Sequence, residues 1–139
     1  MRWARPTHRL NTNLMPTMHR AAFVTDDLCF QHDPGDYALM LKPGGWVEPY
    51  GRHVEHADVK QRFLNLARSS GLLARMTSVT PRDATEAELL RLRTPEHLAR
   101  VRAAASAGGG DVGTGAPIGG NGWDCAVRSA GCALAAVDA

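Results

Sequence analysis

The stretch SAGGGDVGTGAPIGGNGW, residues 106–123, carries eight of the chain's fourteen glycines and separates two segments patterned as helices. Glycine freedom at this density is incompatible with a continuous helix, so the chain must break and turn here. Within the stretch, Gly108, Gly110 and Gly113 spell G-x-G-x-x-G. A phosphate-cradling loop needs a strand before those glycines and a helix opening directly on the last one, so that helix N–H groups face the anion. The preceding segment TPEHLARVRAAASA instead places Leu98, Val101 and Ala105 at spacings of three and four, the period of a helix. Gly108 then falls where a helix C-terminal glycine belongs. The context argues against a nucleotide loop, and the glycines are expected to serve another site.

The rest of the chain is arranged around that break. AAFVTD (21–26) is a short apolar run that predicts a strand. Residues 28–50 contain Pro34, Gly35, Pro43, Gly44, Gly45 and Pro49 and predict a long loop without regular structure, packed by Tyr37, Leu39, Met40, Leu41, Trp46 and Tyr50. Residues 57–73 predict a helix with an apolar stripe of Val59, Phe63, Leu66 and Ala67 and a stop at Gly71. MTSVTP (76–81) predicts a second strand. Thr85 and Glu88 form a capping box for a short helix. Thr94 caps the next helix, with Pro95 in its first turn. Asn121 is expected to cap the last helix, whose stripe is Trp123, Val127, Ala130, Leu134 and Val137. Strands alternating with helices define an α/β class with a parallel sheet covered by helices. Two strands give too little sheet for four helices, because parallel strands are normally buried on both faces. The sequence reads as cut short.

A length of 139 residues suits one domain. The net charge is +2, and cations and acids are interspersed from Asp26 onward, which argues against nucleic acid as a partner. The first 25 residues differ, with Arg2, Arg5, Arg9 and Arg20 and no acid before Asp26. Pro6 and Pro16 interrupt any helix there, so residues 1–19 are expected to be a disordered leader, or to precede a true start at Met15 or Met18. Residues 20–139 would form the domain. No run reaches the ~18 apolar residues of a membrane span, so no membrane partner is expected. The three cysteines, Cys29, Cys125 and Cys132, form no C-x-x-C pair. On a helix, Cys125 and Cys132 lie about 10 Å apart, too far for a disulfide. A reducing, cytoplasmic compartment follows as the expectation.

Few residues carry chemistry by pattern. His53 and His56, three apart with Glu55 between them, could share a metal on a helix, but no third ligand is placed by spacing. The other reading is a helix entry at which Glu55 or Asp58 favours the N-terminal dipole. His32-Asp33 is either an oriented catalytic pair or a loop fastening. His97 sits in the first turn of a helix and is expected to be exposed. There is no G-x-S-x-G and no cysteine in an activating motif. No catalytic residue and no metal ligand is assigned.

Taken in order, AAFVTDDLCFQHDPG, HVEHADVKQRFLNLARSSGLL, ATEAELLRLRTPEHLARV and AGGGDVGTGAPIGGNGWDCAVRSAGCALAAVDA resemble the N-terminal part of the histone deacetylase and acetylpolyamine amidohydrolase family, nearest its class II-like bacterial members. The resemblance runs from about Arg20 to Ala139. It implies an open, parallel-sheet α/β fold shared with arginase, here truncated. It implies zinc-dependent removal of acetyl groups from lysine side chains or polyamines, with zinc lowering the pKa of a bound water and stabilising the oxyanion. In the family the zinc ligands (two aspartates and a histidine), the paired histidines and the catalytic tyrosine come later than this segment. None has a position in this sequence, so zinc is not expected to bind this chain. The resemblance places the glycine-rich stretch and the 32–50 loop at the rim of the substrate tunnel, with His32, Asp111, Pro117 and Ile118 as rim residues. Departures from the family pattern fall at Arg93, His97, Ala116 and Ile118, and Val54 replaces a proline of some members. Three readings follow: the N-terminal piece of a deacetylase, inactive alone; a non-catalytic interaction module that meets a homologous or complementary chain; or the product of a frameshifted gene.

Overall fold

The computed structural model describes residues 21–38, 41–42, 44–48, 50–113 and 115–139. The expected leader, residues 1–19, and the alternative starts Met15 and Met18 lie outside the described residues.

Strand β1 (Ala22–Phe23) pairs in parallel with β4 (Thr77–Ser78), in the register Ala22↔Thr77 and Phe23↔Ser78. Between them the chain makes a 3₁₀ turn (Asp27–Phe30), a short antiparallel pair and helix α1 (Asp58–Ser69). The parallel pairing with an intervening helix agrees with the α/β reading. The long loop expected over 28–50 is corrected. Strand β2 (Asp36–Tyr37) pairs with β3 (Gly51–Arg52), with Asp36↔Arg52 and Tyr37↔Gly51 opposite one another. The Asp33 carboxylate accepts the Gly35 N–H at 2.9 Å, so the turn is set by a local side-chain bond. Tyr37, buried, then anchors the pair from below.

After β4 come α2 (Glu86–Leu89), α3 (Pro95–Ser106), β5 (Gly109–Asp111), β6 (Pro117–Gly119) and α4 (Gly122–Val137). The capping box holds: the Thr85 hydroxyl accepts the Glu88 N–H at 3.3 Å, and the Glu88 carboxylate accepts the Thr85 N–H at 2.8 Å. Thr94 caps α3 by accepting the His97 N–H at 3.2 Å, with Pro95 in the first turn. The expected cap at Asn121 is corrected. Its side chain donates to the Gln31 carbonyl at 2.9 Å and leaves the first turn of α4 without a side-chain cap.

The glycine-rich stretch is an antiparallel hairpin, β5 against β6, in the register Gly109↔Gly119, Gly110↔Ile118 and Asp111↔Pro117. Only β1–β4 is parallel among the described strands, so the expected parallel sheet is realised as one short pair beside two antiparallel ones.

The core is built of small side chains. Leu98, Val101 and Ala105 face inward from α3 as their spacing predicts. On α4 the buried positions are Gly122, Cys125, Gly131 and Ala135, not the larger stripe read from the sequence. Val127, Ala130 and Leu134 are half-buried and Val137 is 84% exposed. The cause is close approach. A Cβ at Gly131 would run into the carbonyl oxygen of Arg82 and the backbone of Ala84. Ala84 N–H donates to the Val127 carbonyl at 3.2 Å. Helix α4 therefore meets the 82–84 segment backbone to backbone, which only small residues permit. Arg128 fastens the same junction, donating to Asp26 at 2.7 Å and to Asp83 at 2.6 Å. Those two carboxylates raise its pKa further, Asp83 first.

Candidate functional site

Helix α3 ends where Gly108 takes φ +90°, followed by Gly109 at φ +132°. These are left-handed backbone values that L side chains avoid, and they reverse the chain out of the helix into β5. A Cβ at Gly109 would lie 2.6 Å from the Ile118 carbonyl oxygen. The glycines thus close a hairpin rather than cradle a phosphate. No helix opens on Gly113, and α4 begins nine residues later at Gly122.

The tip of the hairpin is organised by Asp111. Its carboxylate accepts three backbone N–H groups: Gly113 at 2.9 Å, Gly115 at 3.1 Å and Ala116 at 3.2 Å. The Gly113 and Gly115 bonds are the main reason its pKa is held below the usual carboxylate value. Asp111 is therefore an anion fixed in direction by its own loop. Pro117 stands directly opposite it across the hairpin, and Arg100 Nε of α3 donates to the neighbouring Val112 carbonyl at 3.0 Å.

The 31–35 segment is stitched to the base of this hairpin. Asn121 donates to the Gln31 carbonyl at 2.9 Å, and a Cβ at Gly119 would sit 2.5 Å from the Asp33 carbonyl oxygen. His32 and Ile118 both line one cavity of about 250 Å³, together with Cys29, Glu55, Lys60, Cys125 and Ser129 among others. The His32 pKa is lowered, first by burial and then by the nearby Lys60 cation, both of which disfavour the charged imidazole. Asp33 Oδ1 accepts the Gly35 N–H in the turn, which is the loop-fastening reading of the His32-Asp33 pair. Ile118 packs against the start of α4, where a Cβ at Gly122 would come within 2.7 Å of the Ile118 Cβ. So Asp111 and Pro117 face each other across the hairpin, and His32 of the 31–35 segment shares a cavity with Ile118.

His53 and His56 do not form a shared ligand pair. His53 is 3% exposed, lies edge-on to Tyr37 with ring centroids 5.0 Å apart, and accepts the Glu55 N–H at Nδ1 at 3.1 Å. His56 Nδ1 instead faces Asp58 at 3.7 Å. Among the described residues no three His, Cys, Asp or Glu side chains converge as a metal-holding group. These residues do not fit the zinc site that the family resemblance implies for the longer protein.

The cysteine thiols are held protonated. Burial, followed by the nearby Cys132, pushes Cys29 up to about 11, and burial raises Cys125 and Cys132 as well. Cys125 donates its S–H to the Leu28 carbonyl at 3.2 Å, a packing role and not a nucleophile's. The sequence reading missed Tyr37–His53 as a packed pair and Arg100 as the brace of the hairpin. Both are contacts between segments far apart in the chain, and no local period announces them.

The arrangement sets the Asp111 carboxylate, Pro117 and Ile118 on a braced hairpin, with His32 beside Ile118 in the same cavity. Comparison with known proteins gives the class to which such a segment is related. No protein-family profile matches the chain. A curated relative from Pseudomonas aeruginosa, a histone deacetylase-like amidohydrolase, is 42% identical over 122 residues. The match covers 86% of this chain and 32% of the relative. The chain is thus homologous to part of a histone deacetylase-like amidohydrolase, as the order of its segments indicated. It spans about a third of the length of that relative.

Proposed function

We propose that this chain is the N-terminal, rim-bearing part of a zinc-dependent amidohydrolase of the arginase and deacetylase fold. The whole enzyme would remove acetyl groups from lysine side chains or polyamines in the cytoplasm. The observation that carries the reading is the 42% identity to the Pseudomonas amidohydrolase over 86% of the chain. In the whole enzyme, zinc supplies the activated water. The residues described here would shape the entrance. Asp111 presents a fixed negative charge to a donor group of the substrate, and His32, Pro117 and Ile118 bound the opening. No nucleic acid or membrane is assigned to it, and among the described residues no helix is long and apolar enough to cross a membrane.

The isolated chain is expected to be inactive, because among the described residues no three His, Cys, Asp or Glu side chains gather around one point. The test is to purify the 139-residue chain, dialyse it against zinc-free buffer, and measure bound zinc and acetate release from an acetyl-lysine peptide. Substoichiometric zinc and no acetate are expected. Retained stoichiometric zinc or steady acetate release would overturn the assignment.

A further inference from the structure

Three bonds lay the 3₁₀ turn and its flanking residues Asp26 and Gln31 along α4. Asn121 donates to the Gln31 carbonyl at 2.9 Å, Cys125 to the Leu28 carbonyl at 3.2 Å and Arg128 to the Asp26 carboxylate at 2.7 Å. The turn is thereby fixed to the helix at both of its ends. Cys29 of the turn and Cys132 of the helix line one groove of about 420 Å³. Both are half-buried, so a small reagent entering the groove reaches them. The Cys29 thiol donates to the Cys132 sulfur. Burial raises the Cys132 pKa, and the bond from Cys29 opposes that rise by favouring the Cys132 thiolate. Cys125 differs from both: it is buried, and its S–H is committed to Leu28. Helical spacing keeps Cys125 and Cys132 apart, but it says nothing of a partner on another segment.

We propose that Cys29 and Cys132 form a reversible dithiol–disulfide site, closed by a low-molecular-weight disulfide. The step is thiol–disulfide exchange. The Cys132 thiol gives its proton to solvent, and the thiolate attacks one sulfur of the reagent RSSR. A mixed disulfide forms and RS⁻ leaves. The Cys29 thiolate then attacks the Cys132 sulfur and expels the second RS⁻. Two protein S–H groups are oxidised, RSSR is reduced to two RSH, and the two protons released by the protein are taken up by the two RS⁻. Closure pins the turn, and with it the segment that carries His32, to α4. The inference is independent of the reading under Proposed function, since it involves neither zinc nor an acetyl group.

The experiment treats the reduced full chain with stoichiometric oxidised glutathione at mildly alkaline pH, once folded and once in concentrated urea. Remaining thiols are alkylated, and the disulfides are mapped by mass spectrometry. The folded chain should join Cys29 to Cys132 in roughly tenfold or greater excess over either other pairing, because these two sulfurs start in contact. In urea, Cys125 and Cys132, seven positions apart, should pair instead, because the shorter loop closes more readily. Cys125→Ser should close as the wild type does, whereas Cys29→Ser and Cys132→Ser should stop at a mixed disulfide with glutathione. The closed chain should melt above the reduced one, because the long loop restricts the unfolded state. A folded chain that pairs Cys125 with either partner, gives the same mixture as in urea, halts at the mixed disulfide or links to a second copy would overturn the proposal. So would a closed chain that melts below the reduced one, since the sulfurs would then have been pulled together against the fold. If a serine variant loses the wild-type circular dichroism, the wild-type disulfide map and melting shift decide the question alone.

Discussion

The two ends of this chain solve the problem of burial differently. From Pro95 to Val137, α3, the β5–β6 hairpin and α4 close on one another: Leu98, Val101, Ala105, Val112, Cys125 and Ala135 are all buried. From Ala22 to Ser78, β1, α1 and β4 bury Leu64 and Ala67 but leave Val59, Phe63 and Leu66 outside. Both regions contain a well-patterned helix. In the first, small residues allow backbones to approach closely, as at Gly131 and Gly119. In the second, the large apolar residues Val59, Phe63 and Leu66 stay exposed among the described residues. Amphipathic spacing thus says that a face is made to be covered, not that it is covered within the same chain.

The largest effect should separate these regions directly. Leu98→Ala removes a side chain that is 5% exposed and leaves a cavity between α3 and its neighbours. Its expected cost is about 2–5 kcal/mol. Phe63→Ser removes a larger side chain that is 60% exposed. In the chain alone its expected cost stays within about 0.5 kcal/mol, the range of surface substitutions. Urea unfolding of both variants checks the contrast. Comparable losses at the two positions would mean that α1 is packed in solution and that the regions do not differ.

Gly131→Ala sharpens the same contrast from the other side. Helix propensity alone favours the change by about 1 kcal/mol. Against that, the new methyl group meets the Arg82 carbonyl and the Ala84 backbone, none of which is a flexible side-chain end. Overpacking of this kind typically costs about 1–3 kcal/mol, so a net loss is expected. A gain in thermal stability would show that α4 and the 82–84 segment are farther apart than described.

The stretch from Thr85 to Gly108 was legible in the sequence because its signals are local. The Leu98, Val101 and Ala105 spacing, the Thr94-Pro95 start, the Thr85 and Glu88 box and the stop at Gly108 each act within one or two helical turns. The β5–β6 hairpin was not legible. Its strands contain Gly109, Gly110 and Gly119, which have low strand propensity, and the pairing is held by Asp111 closing the turn and by contact with the 31–35 segment. The role of Asn121 was misread for a related reason. A remote carbonyl at Gln31 competes successfully with the helix end for its side chain. At the candidate site, the resemblance singled out Asp111, Pro117, His32 and Ile118; the cross-hairpin position of Asp111 and Pro117 and the cavity shared by His32 and Ile118 came only with the structure. The buried face of α4 was missed because the sequence rule weighs apolar size, whereas the junction at Gly131 selects for its absence.

The smallest expected effect lies at the seam where the 82–88 segment meets α4. Arg82 holds Glu88 through two bonds, at 2.9 and 2.7 Å, and Glu88 also accepts from Thr85. Arg82 first, then Thr85, lowers the Glu88 pKa from 4.5 to about 2. A carboxyl whose pKa is depressed on folding stabilises the fold above its unfolded value, and that contribution fades as pH falls toward the folded value. Arg82 stays cationic throughout, so the window is set by Glu88 alone: full effect above about pH 4.5, progressive loss down to about pH 2. Glu88→Gln should therefore melt below the wild type at pH 7, and the gap should shrink as pH drops through that window. The gap should be smaller than the loss in Leu98→Ala, because Arg82 is partly exposed and solvent screens the pair. A gap that stays constant from pH 7 to pH 2 would mean that the Arg82–Glu88 pair does not form in solution. The start of α2 would then be fastened by the Thr85 cap and the Arg102–Glu86 pair.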